Sequence, residues 1–103
     1  MTKTSRPHEK AKIESFKKDP AYAAQYLDAV FEDGNIQEVL TTMRYMTEAF
    51  GGVSEVASIA KLNPTSLYRA LSHAGNPTLA TTTAFLDTMG LRLSVQPKEK
   101  KLA

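Results

Sequence analysis

The chain contains no cysteine among its 103 residues. That absence excludes a disulfide framework and any thiolate metal site, and it suits a reducing compartment. Long apolar runs are missing too. None approaches the ~18 residues a membrane span needs, so no membrane-spanning segment is expected. The opening stretch MTKTSRPHEKAK has no apolar h-region, so no secretory signal is expected and a cytoplasmic setting is. There is no glycine-rich phosphate loop and no G-x-S-x-G nucleophile turn. His8 and His73 lie far apart, and neither has paired acids at ligand spacing. Asp28 and Glu32 share a helix face, but nothing nearby would desolvate one of them into a general acid. Catalysis, a metal and a cofactor are therefore all unexpected.

What is present is an ordinary globular composition, 42% hydrophobic and 23% charged, in a chain long enough for one domain with one modest core. The formal net charge is only +2. Its distribution is more informative. Residues 1–18 carry six Lys/Arg against two Glu. Residues 20–38 carry Asp28, Glu32, Asp33 and Glu38 with no base. Residues 92–101 carry Arg92, Lys98, Lys100 and Lys101 against Glu99. Basic ends around an acidic segment suggest two partners of opposite sign, against the plainer reading of charged tails that keep a small domain soluble.

Along the chain, residues 1–18 hold only Ile13 and Phe16 as large apolar side chains after Met1, which reads as a flexible basic arm, helical at most near 9–18. Asp19-Pro20 is a cap followed by proline at the first helical position. Tyr22, Tyr26 and Val30, with Ala23, Leu27 and Phe31, make the apolar face of a helix over about 20–32. Asn35, with Glu38 three residues on, opens a second helix over about 36–49, with Ile36, Val39, Leu40, Met43, Met46 and Phe50 as its stripe. A third begins at Val53 or Ser54. Asn63-Pro64 opens a fourth, to about residue 73. Asn76-Pro77 repeats the signal for a fifth over about 77–89, with Leu79, Thr82, Phe85, Leu86 and Met89 inward. LRLSV, residues 91–95, alternates as a strand does. A lone strand needs a partner, and the same strand of a second subunit would supply one through Leu91, Leu93 and Val95.

The third and fourth helices meet the demands of a helix-turn-helix. Ala57 is small where the second helix would cross, Leu62 fills the apolar slot of the turn, and Leu67 with Ala70 or Leu71 seats the second helix. Thr65, Ser66, Tyr68, Arg69, Ser72 and His73 are left facing outward, where Ser, Thr and Arg can bond base edges or phosphates. Asn63 caps the second helix. Lys61 stands where a left-handed residue, commonly glycine, is required, at a cost of about 1 kcal/mol, and would set a cation beside a DNA backbone.

Residues 54–95, SEVASIAKLNPTSLYRALSHAGNPTLATTTAFLDTMGLRLSV, resemble the XRE-type helix-turn-helix domain of addiction module antidote proteins, the HigA-like antitoxins of type II toxin–antitoxin operons. SLYRALS…GNPTL followed by FLDTMGLRLSV carries most of the resemblance, and AAQYLDAVFEDGNIQEVL resembles that family's helical lead-in. The pattern along the chain predicts an all-α fold of five helices with one short C-terminal β-strand, and the resemblance implies that they fold like Cro and lambda repressor. Its domain would cover residues 19–96, between the arm 1–18 and a charged tail 97–103. It also implies a non-enzymatic homodimer that binds double-stranded operator DNA at an inverted repeat and neutralises a RelE/HigB-like ribonuclease toxin. By position, Thr65, Ser66 and Arg69 fall where the family's recognition helix meets base edges, and Ser54 and Asn76 at helix starts that approach phosphates. A ribonuclease binds RNA through a basic face, so the acids Asp28, Glu32 and Asp33 are the expected toxin contact, with the basic arm as rival.

Three readings stand at this point. One is an antitoxin that also represses its operon. Another is a stand-alone XRE-type regulator, for example prophage-derived, without a toxin. The last is a helical module that binds only protein. DNA binding that falls steeply with salt separates the first two from the third.

Overall fold

The computed structural model describes residues 5–98, with side chains from Pro7 to Lys98. Six helices follow one another: α1 Ser5–Lys18, α2 Pro20–Asp33, α3 Ile36–Ala49, α4 Val53–Ala60, α5 Pro64–Ala70 and α6 Leu79–Thr88. The all-helical class agrees with expectation; six helices rather than five, and no strand among the described residues, do not.

The cap signals act where the sequence places them. The Asp19 carboxylate accepts from the Tyr22 amide at 3.2 Å, and the Asn35 side chain from the Glu38 amide at 3.1 Å. Each thereby satisfies one of the orphan donors of a helix start. Gly34, at φ 77°, closes α2 in the left-handed conformation, and its amide bonds Val30 and Phe31 carbonyls.

Helices α1, α2 and α3 pack on one another, while α4 packs on α3, α5 and α6. Helix α3 is thus common to both halves, and seven of its residues are buried: Val39, Leu40, Thr42, Met43, Met46, Thr47 and Ala49. The two threonines are no flaw in that interior. Each hydroxyl donates to the carbonyl four residues back, Glu38 and Met43, at 2.8 Å. The core continues through Val56, Ala57, Leu67, Leu71, Phe85 and Leu86.

Residues 5–18, expected to belong to a flexible arm, form a packed helix instead. Phe16 is fully buried and meets Tyr22 and Tyr26 edge-on, with ring centroids 5.7 and 5.6 Å away. Lys12 lies with its Nζ 4.3 Å from the centre of the Tyr26 ring and donates to the Tyr22 hydroxyl at 3.3 Å. One aromatic and one cation therefore anchor a helix whose apolar stripe is too thin to see by periodicity. Beneath it, burial pushes the Tyr45 phenol above its usual range, reinforced by Glu9, so it stays protonated and neutral.

Other expectations are corrected at the edges. Asn76-Pro77 does not start the last helix; Thr78 does, its hydroxyl accepting from the Thr81 amide at 3.0 Å. The sequence offers two cap candidates two residues apart, and the hydroxyl wins. Leu79, placed in the inward stripe, is therefore at the first helical position and 71% exposed. Ile36 and Phe31 are exposed too. Leu91–Val95 is neither helix nor strand. A strand exists only through its ladder, and the described residues provide no second strand.

Candidate functional site

Helix α4 ends at Ala60 and α5 begins at Pro64, so three residues turn the chain. Lys61 adopts φ 61°, ψ 43° and is the one non-glycine residue with positive φ among the described residues. The Lys61 amide bonds the Ser58 carbonyl at 3.2 Å, and the Leu62 amide reaches back to the Ala57 carbonyl at 2.8 Å. Those two bonds make a Schellman stop. Leu62, just beyond it, packs against the core, and Ala57 beneath is fully buried. The Asn63 side chain accepts from the Ser66 amide at 2.9 Å and starts α5. A left-handed lysine is a local strain that the two bonds and the Leu62 contact hold in place.

Helix α5 is seated by Leu67 and, at its C-cap, Leu71. Thr65, Ser66, Tyr68 and Arg69 are exposed on its other side, and Lys61 and His73 are exposed beyond its two ends. Ser54 is exposed in the first turn of α4. Ser72 departs from expectation. Its hydroxyl turns back to the Arg69 carbonyl at 2.7 Å and serves the end of α5. Asn76 is exposed in the loop before Thr78 rather than at a helix start. In that loop Gly75 passes so close to α5 that a Cβ would lie 2.1 Å from the Ala70 carbonyl oxygen, which only glycine tolerates.

Sequence reasoning missed one residue of this region. Arg44 on α3 donates through Nη1 to the Leu71 carbonyl at the end of α5, and through Nη2 to Thr41 Oγ1 at 3.1 Å. No periodic or capping pattern links residues 44 and 71, so no sequence signal marks the pair.

A second surface lies at the α2–α3 turn. Asp28, Glu32 and Asp33 are all exposed there. Among the described residues the ion pair formed is Lys17–Glu14, at 3.9 Å, and none of the three acids is paired there. Glu32 and Asp33 end α2, where the helix dipole disfavours negative charge, and Asp28 and Glu32 repel at four-residue spacing. Phe31 and Ile36, 38% and 59% exposed, flank the same turn. The three acids are thus exposed over the last turns of α2, and two apolar side chains beside the turn are exposed as well.

The third surface is the C-terminal segment. Leu91 is half-buried, with its amide on the Leu86 carbonyl at 2.8 Å. Leu93 and Val95 are 38% and 99% exposed.

No group of three or more His, Asp or Glu among the described residues is placed to hold a metal. A shallow groove of about 210 Å³ between Pro20, Phe50, Val56, Ile59, Thr88 and Met89 has no titratable side chain in its lining. No described helix is long and apolar enough to cross a membrane.

A family model described as "Probable addiction module antidote protein" matches residues 9–97. An uncharacterized protein of Haemophilus influenzae is 32% identical over 71 residues, which span 69% of this chain and 72% of that protein. No solved structure matches the chain.

Proposed function

The chain belongs to the probable addiction module antidote proteins, and from that premise we propose that it is a DNA-binding, non-enzymatic antitoxin of the HigA-like, XRE type. An antidote of an addiction module has a cognate toxin as partner. We take that toxin to be a RelE/HigB-like ribonuclease, met by the acidic end of α2. The α4–α5 pair is the helix-turn-helix, with α5 as its recognition helix.

The observation that carries the DNA reading is the left-handed Lys61 turn. It lets two short helices follow each other through three residues, buries Leu67, and leaves Thr65, Ser66 and Arg69 in one exposed row. Arg69 can grip a guanine edge with two bonds; Thr65 and Ser66 can reach phosphates or bases. Lys61 adds a cation at the turn. Two such helices on one duplex require a dimer, with half-sites about 10 bp apart or a multiple of that.

Gel-shift titration on the DNA upstream of the chain's own gene tests this. Arg69→Ala should weaken binding by about 1–3 kcal/mol and relax base preference at one position per half-site. Unchanged affinity and preference would remove Arg69 from the site. No salt-dependent DNA binding by the wild type would leave a module that binds protein alone.

The dimer contact is assigned to the C-terminal segment, where Val95 is almost wholly exposed and Leu93 partly so. Leu91 is needed by the core, so the informative truncation begins at Arg92. Removing residues 92–103 should give monomers in light scattering without loss of helix content. A truncated chain that stays dimeric moves the contact onto the helices.

A further inference from the structure

We infer that Arg44 is a positioning residue for DNA recognition, fixing the angle at which α5 meets the duplex; this rests on the DNA-binding reading above. Helix α5 has seven residues, under two turns. Its start is fixed by the Lys61 turn and the Asn63 cap. Its far end is held by the apolar seats of Leu67 and Leu71, and such contacts let a short helix rock. Base-edge bonds tolerate only about 0.5 Å and 10–20° of error. Something directional is needed at that end, and Arg44 supplies it.

The guanidinium is planar, and two of its nitrogens are in use. Nη2 is held by Thr41, one turn back on α3, which orients the plane. Nη1 then donates to the Leu71 carbonyl, the C-cap of α5. A cation there also meets the negative end of the α5 dipole. The neighbouring bonds complete the tie: Ser72 Oγ to the Arg69 carbonyl at 2.7 Å, and the Gly75 amide to the Ser72 carbonyl at 2.8 Å. Arg44 is half-buried and sits on the helix that packs against α1, α2 and α4. It therefore references α5 to the helix that is common to both halves of the core. Lysine cannot replace it, since one ammonium on a flexible stem does not reproduce a two-point planar grip.

The test uses the full chain with Arg44→Met, which keeps the apolar stem, and Arg44→Lys, which keeps the charge. Two duplexes are titrated in parallel: the inverted repeat upstream of the chain's own gene, and a random sequence of equal length. Amide hydrogen exchange is followed at Leu67 and Leu71. Arg44→Met should lower affinity for the repeat about 10-fold or more while random-sequence affinity changes less than 2-fold. Arg44→Lys should recover at most a small part of the loss. Exchange should quicken in residues 67–72 and not in α2 or α6. A parallel fall on both duplexes, with faster exchange throughout, would make Arg44 an ordinary stabilising residue and overturn the inference. So would an unchanged ratio between the duplexes. A wild type that ignores both duplexes would instead sink the DNA reading itself, and the positioning role with it.

Discussion

Phe16→Ala should lower the unfolding free energy by about 3–5 kcal/mol, the cost of emptying a phenyl site in a core that cannot close over it. The ring is fully buried and carries the contacts of α1 to the Tyr22 and Tyr26 rings. A domain of this size has about 5–15 kcal/mol in all. The variant should therefore sit near the edge of folding, with its urea midpoint moved far down in a circular-dichroism titration. Phe16→Leu, which keeps most of the volume, should lose far less. The expectation contrasts sharply with that for a loose arm, in which the same truncation would cost under about 0.5 kcal/mol. A midpoint shift that small would mean that α1 does not hold to α2 and α3 in solution. The result bears on function as well. With α1 part of the fold, a deletion of residues 1–18 would expose the Tyr22–Tyr26 face and unfold the chain, so such a deletion cannot report whether α1 meets the toxin.

Helix α1 also marks the limit of what the sequence discloses. Periodicity weighs apolar side chains, and α1 offers Ile13 and Phe16. It cannot see that Lys12 lies across an aromatic ring and counts as packing rather than as solvated charge. Local chemistry was more legible. Asp19, Asn35 and Asn63 each cap the helix their neighbours suggested, because a cap is a contact over three residues and the sequence holds both ends of it. The same logic went astray at Asn76, where Thr78 offered a rival hydroxyl. The Lys61 turn could be anticipated from spacing, since only a left-handed residue fits between Ala60 and Asn63. Leu79, Ile36 and Phe31 look like core by type, yet each stands at or near a helix end, where the stripe has already turned away from the interior. Arg44 and Leu71 could not be paired from the sequence, because their contact is set by how two helices dock and not by either segment.

Changing Asp28, Glu32 and Asp33 together to Lys should slow association with the cognate toxin by about 10-fold or more at low salt, with the gap closing as salt rises. The acids are exposed and form no ion pair among the described residues, and two of them crowd the wrong end of a helix dipole. The arrangement is mildly unfavourable for the chain alone, so its removal should leave thermal stability equal or raised. A variant as stable as the wild type yet slower to bind is the signature of steering rather than of a damaged fold. DNA binding should persist or strengthen, since each reversal adds two positive charges to a chain at +2. Phe31 and Ile36 remain in the variant and should keep the dissociation rate nearly constant if they sit inside the contact. The rival surface is the exposed basic side of α1. It is probed without unfolding by Lys10, Lys17 and Lys18 changed to Gln, all three being exposed. Stopped-flow association rates for both triple variants decide between the surfaces. Slow binding by the acid-reversed chain and normal binding by the lysine-neutralised chain place the toxin at the α2–α3 turn; the opposite pair of rates moves it to α1 and ends the electrostatic reading of the acids.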